Sequence, residues 1–288
     1  MINNIKKKRI QGILLMLPAL SIIVTVTIVV IINTFLESLG YIPELSFNNF
    51  TTKYYVDLFT DHIFLKSLYF SFKVAFISAV LATILGVYTG YYVSKWQYNF
   101  MSLLYKIPIL LSYVAAAALI YNTYSDKGLL YHIVSTLGIS QANVNLIYTS
   151  SGLGVILLNI FKGLPFVAFC VAPIFRKADE TYSFVAQNLG CTKFKYIIKI
   201  LLPLAKRSVV TSFLIIFNFN MFTYEGFYYL GPSNPISIGV YAYKTYLNSD
   251  LSNRIYGMAI NMIMIIISIV LCFLYYNMIK GHGEGEIL

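Results

Sequence analysis

The chain has 288 residues, 58% of them hydrophobic and only 11% charged, with a mean hydropathy of +0.73. Soluble domains carry about a quarter charged residues, so this composition excludes an ordinary globular enzyme and points to a protein that crosses a membrane several times. The net charge of +10 does not mark a nucleic-acid binder, because the basic residues sit in short clusters beside apolar runs and form no continuous face.

A spanning helix needs roughly 20 apolar residues. The first such run covers 12–35 and follows the basic stretch KKKR at 6–9. It is longer than a signal-peptide core and lacks a small-residue cleavage site, so it reads as a retained anchor with a cytoplasmic N-terminus. Further spans are expected at 74–94, 101–122, 151–175, 208–230 and 256–279. In the second, Gly86 and Gly90 stand at GxxxG spacing, which fits either a close helix contact or chance in an apolar segment.

Lysine and arginine mark cytoplasmic loops. They gather in KKKR, in SKWQYN at 94–99 and in the long interval 176–207. The opposite loops hold Glu37, Glu44, Asp57 and Asp61, then Asp126 with Lys127. Both termini are therefore expected inside. That requires an even number of spans, and six fits, in a single transmembrane domain over 1–288 with a short disordered tail. Cys170, Cys191 and Cys272 have no CxxC partner, and His62, His132 and His282 are isolated, so neither a disulfide framework nor a metal site is expected.

The loop 176–207 has its own pattern. Phe194, Ile197, Ile198 and Leu201 recur at three and four positions as a helical stripe, with Lys193, Lys195 and Lys199 off it. Gly190 permits a left-handed turn between two short helices, and Pro203 stops or kinks the second. Periodicity alone fits an amphipathic helix lying on lipid headgroups equally well. The spacing adds more: Gly190, nine residues, Ile200, one residue, Leu202 and Pro203.

This spacing resembles the cytoplasmic loop of binding-protein-dependent ABC importer permeases, which runs Glu-Ala-Ala, three residues, Gly, nine residues, Ile, one residue, Leu-Pro. Here the triplet is Phe184-Val185-Ala186, so only its last alanine matches, and Asp179 or Glu180 is left to stand in for the glutamate. NNFTTKYYVDLF with FLKSLYFSFKVA, then DKGLLYHIVSTLGI and GLPFVAFCVAPIF, are similar to further parts of these permeases, so the likeness covers about 14–280. The nearest subgroup is the spermidine/putrescine type, with sulfate, ferric-iron and phosphonate permeases beside it.

The resemblance implies an all-α, six-helix type I importer permease in the cytoplasmic membrane of a bacterium. Its implied work is ATP-driven import of a small polar solute by alternating access. Its implied partners are two ATPase subunits, a second permease (a different chain rather than a copy), an extracytoplasmic solute-binding protein and membrane lipid. Ala186, Gly190, Phe194, Ile197, Ile200, Leu202 and Pro203 would couple the chain to the ATPase. The chain has no GxxxxGK[ST] phosphate loop and no HExxH, so it is expected to be no enzyme and to hold no cofactor, with ATP and Mg on the partner subunits.

Polar groups inside spans are the candidates for the solute path. Glu225 with Asn218, seven residues earlier, and Lys162 with Asn159, three residues earlier, can each share a helix face. Glu225 and Lys162 can neutralise each other or reach the interface. Alternatively they line the path, where Glu225 would favour a cation and Lys162 an anion. Tyr224, Phe227, Tyr228 and Tyr229 fit solute stacking or an interfacial aromatic belt. The rival reading of the whole chain is a secondary transporter or channel driven by an ion gradient.

Overall fold

The computed structural model describes residues 2–43, 47–48, 50–95, 104–137 and 146–280. Glu44, the 96–99 part of the first cytoplasmic loop, the 101–103 start of the third expected span, and the tail with His282 lie outside the described residues. Twelve helices are followed here: α1 Ile2–Ser38, α2 Lys53–Thr60, α3 His62–Lys95, α4 Ile107–Leu110, α5 Tyr113–Tyr124 and α6 Leu129–Thr136, then α7 Leu153–Asn188, α8 Lys193–Leu204, α9 Lys206–Phe222, α10 Glu225–Leu230, α11 Ile238–Tyr246 and α12 Leu251–Lys280. A two-residue antiparallel ladder, Tyr41–Ile42 with Phe47–Asn48, is the one strand pair among the described residues.

Four stretches are long and apolar enough to cross a bilayer: Met16–Ser38, His62–Lys95, Leu153–Asn188 and Asn253–Asn277. They contain most of the expected spans at 12–35, 74–94, 151–175 and 256–279. The expected span at 208–230 is divided, because α9 ends at Phe222 and Thr223 turns extended before α10. The expected continuous helix at 101–122 is also divided. Leu111 and Ser112 are both extended, and the Ser112 hydroxyl accepts from the Ala115 N–H at 3.1 Å, which starts α5 as a separate helix.

The chain forms two compact units, Met1–Asp61 with Ala242–Ile266, and His62–Tyr241 with Ile267–Leu288. In the first, polar pairs join distant parts of the sequence. Arg254 meets Glu37 at 3.2 Å, Tyr256 donates to Asp61 at 3.0 Å, and the Ser38 and Tyr55 hydroxyls lie 2.6 Å apart.

The second unit is organised by α3 and α7. A methyl on Gly86 would lie 2.6 Å from Val167 Cβ, and one on Gly90 would lie 2.5 Å from Val171, so these glycines allow the two backbones to touch. The GxxxG pair is thus a packing device. The partners advance together: Gly152 faces Val74, Gly163 faces Ala82, and Asp179 pairs with Lys95. Helices α3 and α7 therefore run parallel. A chain that crosses twice in the same direction must return in between, and 105–124 does so. Tyr105 packs on Phe169, Ile109 meets Lys162, and Tyr113 meets Asn159, each step moving back along α7. Helix α9 also runs opposite to α7, with Ser208 at Cys170 and Ile216 at Gly163. Between them lie Ala79, Val167, Val171, Phe175, Phe217 and Leu201, all buried.

Candidate functional site

Four helices of the second unit meet at a buried polar knot. Asn220 of α9 and Asn159 of α7 both donate to the Ser78 hydroxyl of α3, at 3.1 and 3.4 Å, and Ser78 donates to the Ala75 carbonyl at 3.1 Å. The Tyr113 hydroxyl of α5 donates to Asn159 Oδ1. With no water in the hydrocarbon layer, such groups must satisfy one another, and the knot does so. Beside it opens a cavity of about 300 Å³, walled by Tyr113, Lys162, Phe166, Ile215, Phe219 and Asn220, among others.

Lys162 reaches from α7 to the break between α4 and α5. Its Nζ donates to the Leu111 carbonyl at 2.5 Å and to Ile109 at 3.5 Å, and lies 5.8 Å from the Tyr113 ring centre. The last carbonyls of a helix have no intrahelical donor. The ammonium supplies one here, which explains how a broken helix is tolerated at this depth. No ion pair joins Lys162 to Glu225. The Glu225 carboxylate accepts from Thr223 at 3.2 Å. The Tyr113 ring also packs on the residue next to Glu225, since a methyl on Gly226 would lie 3.0 Å from its ring edge.

The cavity gathers Lys162 and sets it against Asn159 through Tyr113, but it does not gather all the expected path residues. Asn218 lines a different hollow of about 270 Å³ with Leu214, Phe219, Leu271, Cys272 and Tyr275, and its buried Oδ1 has no hydrogen-bond partner. The seven-residue spacing to Glu225 does not put both on one face, because the helix stops at Phe222 between them. Ser78 and Tyr113 were not legible as members of the site, since a single serine or tyrosine in an apolar run has no pattern of its own, and Asn220 stood out no more than Asn218.

The loop 176–207 is helix, glycine turn, helix. Helix α7 runs on to Asn188, and Gly190 adopts φ +67°. Its N–H donates to the Gln187 carbonyl at 2.9 Å while that of Cys191 donates to Ala186 at 2.9 Å, the paired bonds that close a helix through a left-handed residue. Helix α8 starts at Thr192, whose hydroxyl accepts from Lys195 N–H at 3.5 Å, and includes a wide π-helical turn over Ile197–Leu201. It meets α9 at an 80° bend just after Pro203.

The two faces of this loop differ. Ala186, Ile197 and Leu201 are buried, and Ile200 and Leu202 are half-buried, all packed on the protein's own core. Of the expected coupling residues, Ala186 and Ile197 thus face inward and hold the loop in place, while Gly190, Phe194 and Pro203 are exposed. Around Gly190 stand four large exposed apolar side chains: Leu189 (80%), Phe184 (75%), Phe194 (67%) and Val185 (56%). Lys193, Lys195 and Lys199 lie beside them in solvent.

A brace ties the loop to α3 and α7. Lys95 pairs with Asp179 at 3.7 Å and sits 4.4 Å over the Tyr91 ring, which meets the Tyr196 ring edge-on at 6.4 Å. Asp179 is thereby engaged within the chain, whereas Glu180 is exposed. Burial, with the Asp179 carboxylate next in weight, pushes the Tyr196 phenol up to about 12, so it stays neutral at physiological pH.

Parallel and antiparallel crossing helices around a largely apolar cavity bordered by Lys162 and the polar knot, with a helix bent by 80° at one end, make the all-α transmembrane fold of a type I ABC importer permease. Residues 78–281 match the model of the family described as "Binding-protein-dependent transport system inner membrane component", and the chain belongs to that family. It is 21% identical over 208 residues to the "Probable sulfate transport system permease protein cysT" of Prototheca wickerhamii, covering 71% of this chain and 79% of that protein. It is 23% identical over 159 residues to the "Spermidine/putrescine transport system permease protein PotB" of Escherichia coli K12, covering 54% and 57%. The chain thus spans little more than half of several of these relatives, such as the cysT protein of Chlorella vulgaris at 58%.

Among solved structures, a bacterial ABC transporter involved in the import of the acidic polysaccharide alginate superimposes with a TM-score of 0.72 at 15% identity, over 98% of both chains. The bacterial alginate transporter in complex with an alginate pentasaccharide-bound periplasmic protein gives 0.72 at 17% identity, over 96% of both. The chain is a membrane transport component, the permease part of a binding-protein-dependent importer, and not a catalytic enzyme.

Proposed function

We propose that the chain imports a small polar solute by ATP-driven alternating access, with the loop 176–207 as the lever. The observation that carries this reading is the exposure of Phe184, Val185, Leu189 and Phe194, four large apolar side chains that flank the Gly190 turn in the sequence. Such side chains do not face cytoplasm alone. An apolar face rimmed by lysines suits insertion into a cleft of a partner protein. The 80° bend then sets α8 across the end of α9, so that a push on one turns the other.

In this reading the partners are two ATPase subunits that hold ATP and Mg, a second and different permease, an extracytoplasmic solute-binding protein, and lipid. The chain itself holds no cofactor. Six crossings, counting 105–124 and 206–230 as broken ones, leave both termini in the cytoplasm of a bacterial cell. The names of the relatives point to sulfate, alginate and polyamines, which differ in charge, so they do not choose the solute. No observation favours the gradient-driven alternative.

The test is co-purification of the full chain with the ATPase of its own host, together with ATP-dependent uptake. Leu189→Asp with Phe194→Asp should abolish both while the chain still reaches the membrane in normal amount. Retained ATPase binding in that variant would overturn the docking face.

A further inference from the structure

We propose that the solute admitted by the cavity carries negative charge, and that Lys162 is the group that meets it. This rests on the permease reading above and adds the substrate class. Lys162 forms part of the wall of a cavity of about 300 Å³. Its ammonium has two carbonyl partners, Leu111 and Ile109, and among the described residues no carboxylate partner. Carbonyls satisfy two of its three donors but bring dipoles, not a counter-charge.

The other polar groups of the wall do not compensate it. Tyr113 donates to Asn159, and Asn220 donates to Ser78. Glu225 accepts from Thr223 and forms no ion pair with Lys162. The rest of the wall is largely apolar, with Phe166, Ile215 and Phe219. An unneutralised cation among apolar walls focuses a positive field into the space it borders. A small anion entering there gains a charge-assisted hydrogen bond. A diamine would find a like charge and no carboxylate on the wall.

The test reads that field in the full chain, in native membrane vesicles, with Cys170, Cys191 and Cys272 replaced by serine. Phe166→Cys puts a thiol one helical turn from Lys162. Its reaction rates are compared for two methanethiosulfonates of similar size, one ending in a sulfonate and one in a trimethylammonium, each relative to free 2-mercaptoethanol. The sulfonate reagent should be favoured by about tenfold or more, the order expected of a unit charge nearby in a poorly screened site. Lys162→Arg should keep that preference and Lys162→Gln should remove it, with Glu225→Gln leaving it in place. Preference for the cationic reagent, or a ratio unchanged by Lys162→Gln, would overturn the proposal. If Lys162→Gln does not accumulate, the sign of the preference with Lys162 and with Lys162→Arg still decides. The measurement needs neither ATPase nor uptake, so its failure is distinct from failure of the coupling reading.

Discussion

Gly190 has open space around the position of a Cβ, so the cost of replacing it lies in its backbone and not in crowding. At φ +67° a β-branched side chain is strained by about 1–2 kcal/mol, whereas asparagine tolerates the left-handed region. Gly190→Val should therefore lower ATP-dependent uptake severalfold at equal protein level, and Gly190→Asn should retain most of it. Uptake unchanged in the valine variant would sever the turn from transport. The polar knot makes a second residue-scale prediction. Asn220→Leu removes a donor to Ser78 in a waterless setting, at about 0.6–2 kcal/mol. Thermal unfolding of the purified chain should shift down accordingly, and Asn218→Leu, which leaves the knot intact, should not lower it. Lys162 and Asn159 could be read from the sequence because a charge or amide in an apolar run stands out. Asn220 could not be preferred to Asn218 without knowing which way α9 faces.

At the scale of elements, the long helices were legible because each carries a long, predominantly apolar stretch with few charges. The third crossing was legible as an apolar segment but not as two helices. Its division depends on the Ser112 cap and on Lys162, fifty residues away, offering donors to the open carbonyls. The turn at Gly190 was legible from glycine itself, while the inward burial of Ala186 and Ile197 depends on packing that no local pattern encodes. The close contact of α3 and α7 makes its own prediction. Gly86→Leu would place carbon 2.6 Å from Val167 Cβ and 2.8 Å from the Leu164 backbone oxygen, so the helices must part. The amount of folded chain recovered from membranes should fall sharply, whereas Gly190→Asn leaves it unchanged. Normal recovery of the leucine variant would refute the close packing.

For the whole molecule, the directions of the crossings in the second unit decide which of its loops share an end. Parallel α3 and α7, with 105–124 and α9 opposed to α7, put the Asp126 loop and the Lys193 loop at opposite ends. In a cysteine-free background, Lys193→Cys should react with an impermeant thiol reagent only from the cytoplasm, and Asp126→Cys only from outside. Which of the two ends is cytoplasmic is the expectation from the charge bias of the loops. Transport adds one further requirement: the loop at one end must change the accessibility of the cavity, as a shift between populations of inward- and outward-open states.

The most direct measurement of that requirement is the labelling rate of Phe166→Cys in the assembled importer. An impermeant thiol reagent is added from the outside, with and without ATP, Mg and vanadate to hold the ATPases closed. The lever account predicts a rate that rises on trapping, and a rise that disappears when Gly190 is replaced by valine. A rate indifferent to the nucleotide, or a rise that survives Gly190→Val, would contradict it.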